Sequence, residues 1–387
     1  MSPINEWDAG AAIKLLQDMI AINTTNPPGN ESSLAKWLAD WLKARDIDSE
    51  IIEIESGRSN LIVTIKGKTS NSALLYTGHM DTVPPGQQKW LYDPFAAEII
   101  DGRLYGRGAA DMKSGLAAML YSFVLLKRQG FVPEQDVILL ATAGEEVSCL
   151  GAKAFVAAGG MKKVAAAVVG EPSNGDVIVT HKGAVWLEIT TRGSTAHGSM
   201  PHLGVNAIVR MNAIITKLAS VSFDLPPNKW LGMPTLSINQ IAGGVATNVV
   251  PDACTCQVDF RLIPGQTASD AQKIIEDIIF KLKQDEPNFT AEVKLLHSCN
   301  PVACPKDHPV ISLAQRCVQE YSQAAVTVRG VNFYTDASIL LQGKNLPVIF
   351  YGPGDDAQAH QPDEYVVIEK YLAAVRFYED FAKGFKS

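Results

Sequence analysis

Residues 74–115 read LLYTGHMDTVPPGQQKWLYDPFAAEIIDGRLYGRGAADMKSG. The apolar opening, Leu74-Leu75-Tyr76, predicts a buried strand, and the polar string Gly78-His79-Met80-Asp81 falls where that strand ends. His79 and Asp81 are two residues apart, so side chains that alternate across a strand share one face. Further on, Gly106-Arg107-Gly108-Ala109-Ala110-Asp111-Met112-Lys113 sets an acid just before an apolar helix over 116–126. Two strand-to-helix edges thus present a histidine and an acid from the rim of one sheet. Ligands of open α/β sheets sit outside the carboxyl ends of the strands.

Outward from this stretch the pattern alternates. Ile13, Leu15, Leu16, Met19 and Ile20 predict a helix over 8–22, closed by Asn26-Pro27-Pro28-Gly29-Asn30. A second helix follows, capped by Ser32 or Ser33, with Leu34, Trp37, Leu38, Trp41 and Leu42 in one apolar stripe. Strands are expected over 50–54, 60–65, 73–76, 136–143 and 165–170. The continuous apolar runs Val137-Ile138-Leu139-Leu140 and 165–169 suit a sheet with helices on both faces.

From His181 the period changes to strands over 184–191, 235–241 and 254–262 and helices over 205–219 and 268–283. After Val293 the α/β character returns with a helix over 310–321, a strand over 348–351 and a last helix over 369–385. The expected fold is therefore two-domain α/β. Residues 1–180 and 295–387 form a catalytic unit built on a mixed, mostly parallel sheet flanked by helices, and an α+β domain over 181–294 is inserted in it.

The chain has 387 residues, 47% of them hydrophobic, enough for two full cores. A net charge of -7 without a long basic run argues against nucleic acid as a partner. No stretch approaches a membrane span, and the first residues lack the pattern of a signal peptide, so a soluble, cytoplasmic protein is expected. Six cysteines without CxxC spacing indicate neither a thiolate zinc site nor a disulfide framework.

Other strand ends repeat the polar theme. Glu145-Glu146 follows the strand ending at Ala143-Gly144, Glu171 follows Val168-Val169-Gly170, and Asp355, Asp356 and His360 follow Val348-Ile349-Phe350. If these ends converge, two imidazoles and several carboxylates suit a pair of borderline divalent ions. Taken singly, each group has a plainer use. Glu145 and Glu146 also fit the first turn of a helix, where the dipole favours acids.

In combination the motifs Gly78-His79-Met80-Asp81, 105–113, Ala143-Gly144-Glu145-Glu146, Gly170-Glu171-Pro172 and Ala359-His360-Gln361 resemble the M20 metallopeptidase family, in the branch of acetylornithine deacetylase and succinyl-diaminopimelate desuccinylase. The resemblance covers nearly the whole chain. It implies two divalent metals, zinc first and cobalt or manganese as alternatives, bridged by Asp111, with His79 and Glu171 on one and Glu146 and His360 on the other. It also implies Glu145 as general base and Asp81 as the residue orienting the His79 ring. The inserted domain matches the family's lid and dimerisation domain. In it His197 is implied to steady the oxyanion, in many members that of the partner subunit in a homodimer, and Asn248 and Arg261 to contact substrate. Thr335-Asp336-Ala337-Ser338 falls where relatives line the pocket. The implied reaction is amide hydrolysis of a small-molecule N-acyl amino acid or short peptide. N-succinyl-diaminopimelate in lysine biosynthesis comes first, N-acetylornithine second, and dipeptidase or aminopeptidase activity stays open.

Overall fold

The strand Thr69–His79 organises the larger sheet. Residues 73–79 are all buried, the signature of a strand covered on both faces. It pairs in parallel with Gln135–Thr142 on one side and Val164–Val169 on the other, and Val348–Phe350 extends the parallel set. Arg58–Ile65 and then Ser49–Glu55 add antiparallel at one edge, and Val177–His181 runs antiparallel beyond Val348–Phe350. The sheet is mixed with a parallel centre, as the sequence leads one to expect.

These facts come from a computed structural model that describes residues 7–322 and 325–386. The chain divides into two units, and His181–Val302 with Val331–Tyr334 forms the smaller. No helix among the described residues is long and apolar enough to cross a membrane.

In the larger unit the helix Lys113–Arg128 is apolar on every side, and 14 of its 16 residues are buried. It ends in Lys127 and Arg128, cations placed where the helix dipole favours them. Ala9–Ala21 and Ile368–Gly384 pack against it. The Tyr371 hydroxyl donates to the Ala12 carbonyl at 2.7 Å, and the Tyr76 hydroxyl to the Tyr378 carbonyl at 2.7 Å, tying helices and sheet together. Gly115 permits a close approach at the helix start. A Cβ there would lie 2.0 Å from the Gly170 carbonyl oxygen, so only glycine lets the helix behind Asp111 meet the strand end carrying Glu171.

The smaller unit has a four-stranded antiparallel sheet in the order Thr235–Gly243, Ala253–Leu262, Gly183–Arg192, Thr290–Cys299. Ala253–Leu262 alternates half-buried and buried residues without a break, the period of a strand with one covered face. That face packs Val185, Leu187, Val258 and Phe260 against Met211 and Ile214 of Ala207–Leu218 and Ile275 of Ala268–Asp285. Thr267 and Asp270 form a capping box at the start of the second helix.

Several elements lie outside the sequence expectations. Thr290–Cys299 exposes five of its ten residues, Leu295 and Leu296 among them. Val177–His181 is short, and a three-stranded sheet of Ile99–Ile100, Arg103–Tyr105 and Tyr365–Val367 joins segments far apart in sequence. At the exit to the smaller unit, the Cys304 amide donates to the Val179 carbonyl at 2.8 Å. All six cysteines are buried.

Candidate metal centre

His79 is the last residue of its strand, and its Nδ1 lies 2.9 Å from the Asp81 main-chain carbonyl. A carbonyl oxygen only accepts, so Nδ1 carries the proton and, in the neutral ring, Nε2 offers its lone pair. That Nε2 faces Asp111 Oδ1 at 3.2 Å and Glu171 Oε1 at 4.0 Å. The other oxygen of Asp111 faces His360 Nε2 at 3.5 Å, and Glu146 Oε2 stands 3.2 Å from the same nitrogen. Two donor groups result, His79, Asp111 and Glu171 in one and Asp111, Glu146 and His360 in the other. Asp111 belongs to both.

Asp81 does more than sit near His79. Its carboxylate is 3.6 Å from Nδ1, farther than its own main-chain carbonyl. That carboxylate instead accepts the amides of Gly144, Glu145 and Glu146 at 3.1, 3.2 and 3.2 Å, and the Asn26 side-chain amide at 2.8 Å. Anions are favoured where a helix leaves its first N–H groups unpaired. Asp81 therefore fixes the short helix Glu145–Ser148 and, with it, the two glutamates. Sequence reasoning did not reach Glu31, a fully buried acid that also accepts the Gly144 amide, at 3.0 Å, and is held by both forks of Arg58. It opens the helix Glu31–Lys43, where an acid is ordinary, so its position gives no signal of that role.

Glu145 is 7% exposed and lies beside the two donor groups without belonging to either. It forms a further cluster with Cys149 and Asp336. Asp336 accepts from the Thr142 hydroxyl at 2.7 Å, and burial pushes its pKa up to about 6. Burial likewise holds Glu145 and Glu171 well above the ordinary carboxylate range and raises Glu146. For His79, burial works against the charged form, but the hydrogen bond it donates to Asp111 and the surrounding acids outweigh it, and the pKa stands well above the imidazole value. Each shift reports acids crowded together out of water.

His197, Asn248 and Arg261 lie in the smaller unit. His197 and Asn248 are exposed and close together, because Val249 bridges to His197 and the Gly198 amide donates to the Asn248 carbonyl at 2.7 Å. His197 Nδ1 accepts the Ser199 amide at 3.1 Å, which puts the proton of the neutral ring on the outward Nε2. Arg261 is engaged by Asp259, with Nη2 3.0 Å from Oδ2.

A model of the peptidase family M20/M25/M40 matches residues 75–384. The chain belongs to that family. A protein of Staphylococcus epidermidis named "probable succinyl-diaminopimelate desuccinylase" is 29% identical over 100% of this chain and 99% of its own length. An acetylornithine deacetylase of Vibrio cholerae is 33% identical over 90% of each chain. Among solved structures, a dinuclear metal-binding peptidase of the M20 family from Bacillus subtilis superposes with a TM-score of 0.75 at 17% identity, covering 97% of both chains. This M20 member is a metal-dependent amidohydrolase or peptidase.

The M20 donor sets fit divalent cations on their own chemistry. Imidazole nitrogen and carboxylate oxygen are the ligands zinc, cobalt and manganese accept. Glu146 Oε1 is buried with no hydrogen-bond partner, a cost of about 1–3 kcal/mol for an unsatisfied group, more when charged. A divalent cation held by these acids and histidines would supply what Glu146 lacks.

Proposed function

We propose that the protein hydrolyses the amide bond of N-succinyl-diaminopimelate to succinate and diaminopimelate, as a cytoplasmic homodimer serving lysine biosynthesis. The observation that carries the hydrolytic reading is Asp111, whose two oxygens face two histidines at 3.2 and 3.5 Å. His79, Asp111 and Glu171 would hold one ion and Asp111, Glu146 and His360 the other, with zinc as the first choice. Two ions so held supply Lewis acidity that polarises the amide carbonyl and acidifies water.

The protein's own groups do the rest. Glu145, buried and outside both donor sets, takes the proton of the attacking water on a carboxylate oxygen and returns it to the leaving amine nitrogen. A carboxyl whose pKa is raised by burial accepts a proton more readily than an exposed one. Asp81 holds Glu145 in place through the amides of the short helix. His197, its Nδ1 engaged by Ser199, offers an Nε2–H to the developing oxyanion. Asn248 and Arg261 contact the substrate, and the small domain provides the dimer surface.

A second reading, acetylornithine deacetylase, is favoured by the Asp259–Arg261 pair. A guanidinium already facing a carboxylate is less available to a succinyl carboxylate, and an acetyl group brings none. Hydrolysis by metal-stripped protein reconstituted with zinc, cobalt or manganese separates these readings. Turnover of N-succinyl-diaminopimelate well above N-acetylornithine supports the first, the reverse supports the second, and cleavage of dipeptides alone overturns both.

A further inference from the structure

Asp111 and His360 come from loops 249 residues apart in sequence, and one buried pair sits between those loops. Glu364 is fully buried and Arg107 is 1% exposed. Glu364 Oε1 accepts the amides of Ala110 at 2.7 Å and Asp111 at 2.9 Å. Its Oε2 accepts Arg107 Nη1 at 2.5 Å, and its main-chain carbonyl accepts the Gly106 amide at 2.8 Å. Arg107 Nη2 in turn reaches the main-chain carbonyls of His360 and Pro84, both at 3.4 Å. Trp90 lies under the guanidinium, 5.1 Å from ring centroid to Cζ.

We propose that Arg107 and Glu364 are positioning residues that clamp the loop of Asp111 to the loop of His360 and so set the affinity of the donor group containing His360. This rests on the two-ion reading above. The clamp bears unequally on the two groups. His79 and Glu171 are buried and placed by strand ends of the sheet, whereas the His360 side chain is 51% exposed and its main chain is left-handed, with φ 65°. A non-glycine residue in that region is held there by its surroundings. The contact to its carbonyl comes from Arg107, and Arg107 is held by Glu364. Buried ion pairs contribute little net stability but can fix one arrangement among several, and here the arrangement fixed is the spacing of two ligands.

The test is ion titration of metal-stripped full-length protein with cobalt(II), followed by calorimetry and visible absorption. Glu364→Gln keeps an acceptor for the Ala110 and Asp111 amides but removes the charge facing Arg107. Arg107→Lys keeps the buried charge, and with it the fold, but one ammonium cannot face Glu364 and two carbonyls together. Both variants are expected to bind the second ion at least tenfold more weakly, to change the first far less, and to regain activity at saturating cobalt. Melting of the metal-free Arg107→Lys protein should stay close to that of the parent, which separates positioning from general loosening. Folded variants that bind both ions as the parent does overturn the clamp, and so does equal weakening of both ions. A parent protein that binds no ion pair overturns the two-ion reading instead.

Discussion

Replacing Glu145 by Gln tests whether the proposed proton carrier stands apart from the proposed ligands. Glu145 and Glu146 are neighbours with different surroundings. Glu146 Oε2 stands 3.2 Å from His360 Nε2 and belongs to a donor group, while Glu145 belongs to neither group that contains Asp111. General acid–base catalysis contributes roughly 10²–10⁴-fold, which at 1.36 kcal/mol per decade is about 3–5 kcal/mol of barrier. Glu145→Gln should therefore lose that much kcat with bound metal unchanged at two ions per chain, read by steady-state kinetics and elemental analysis of the same sample. Stability should move the other way. The folded state raises the pKa of Glu145, so above the ordinary carboxylate pKa its charge opposes folding, and that opposition grows with pH. An uncharged amide removes it, so metal-free Glu145→Gln should melt higher than its parent at neutral pH. Loss of an ion together with activity refutes the reasoning, because Glu145 would then be a ligand. Unimpaired turnover refutes it as well, because the base would lie elsewhere.

Other outcomes follow from the same geometry. Stripping the metals should lower the melting temperature, since an ion at 100 times its Kd stabilises the folded state by about 2.7 kcal/mol per site; equal melting of stripped and reconstituted protein counts against bound ions. His197→Ala should slow turnover without changing metal content, and an unchanged kcat removes this histidine from the chemistry. Burial lowers the His181 pKa to about 4, and its Nδ1 donates to the Lys182 carbonyl at 2.8 Å. The unfolded chain then binds a proton below the ordinary imidazole pKa that the folded chain refuses. His181 should thus cost on the order of 3 kcal/mol of stability as pH falls from about 6.5 to 4, and denaturant melts of His181→Asn should show a shallower acid slope. Asp259→Asn should raise the relative rate on succinyl over acetyl substrates by freeing Arg261, and an unchanged ratio places the succinyl carboxylate elsewhere.

What the sequence made legible is what local spacing encodes. An apolar run followed by Gly-His-Met-Asp marks a strand and its end, and the same pattern at Glu145-Glu146 and Glu171 marks the neighbours in the sheet. That His79, Asp111, Glu146, Glu171 and His360 meet is legible only through the resemblance, since spacing carries no distance between strand ends. Glu31, Arg107 and Glu364 were missed for one physical reason. Each bonds main-chain groups far away in sequence, and a buried charged residue on a helix or loop looks like any surface charge until its partners are known. The further contacts of Asp81 were hidden for a related reason. Strand alternation sets its side chain near His79, at 3.6 Å from Nδ1, but it carries no sign that the same carboxylate also accepts the amides of Gly144, Glu145 and Glu146.

The hydrogen bond from the Cys304 amide to the Val179 carbonyl has a consequence for how such a protein is rebuilt. It joins the chain just before it leaves the larger unit to the chain just after it returns. Inserted segments are tolerated where their two ends lie close together. Residues 181–302, the bulk of the smaller unit, are thus spliced into the larger unit at one seam.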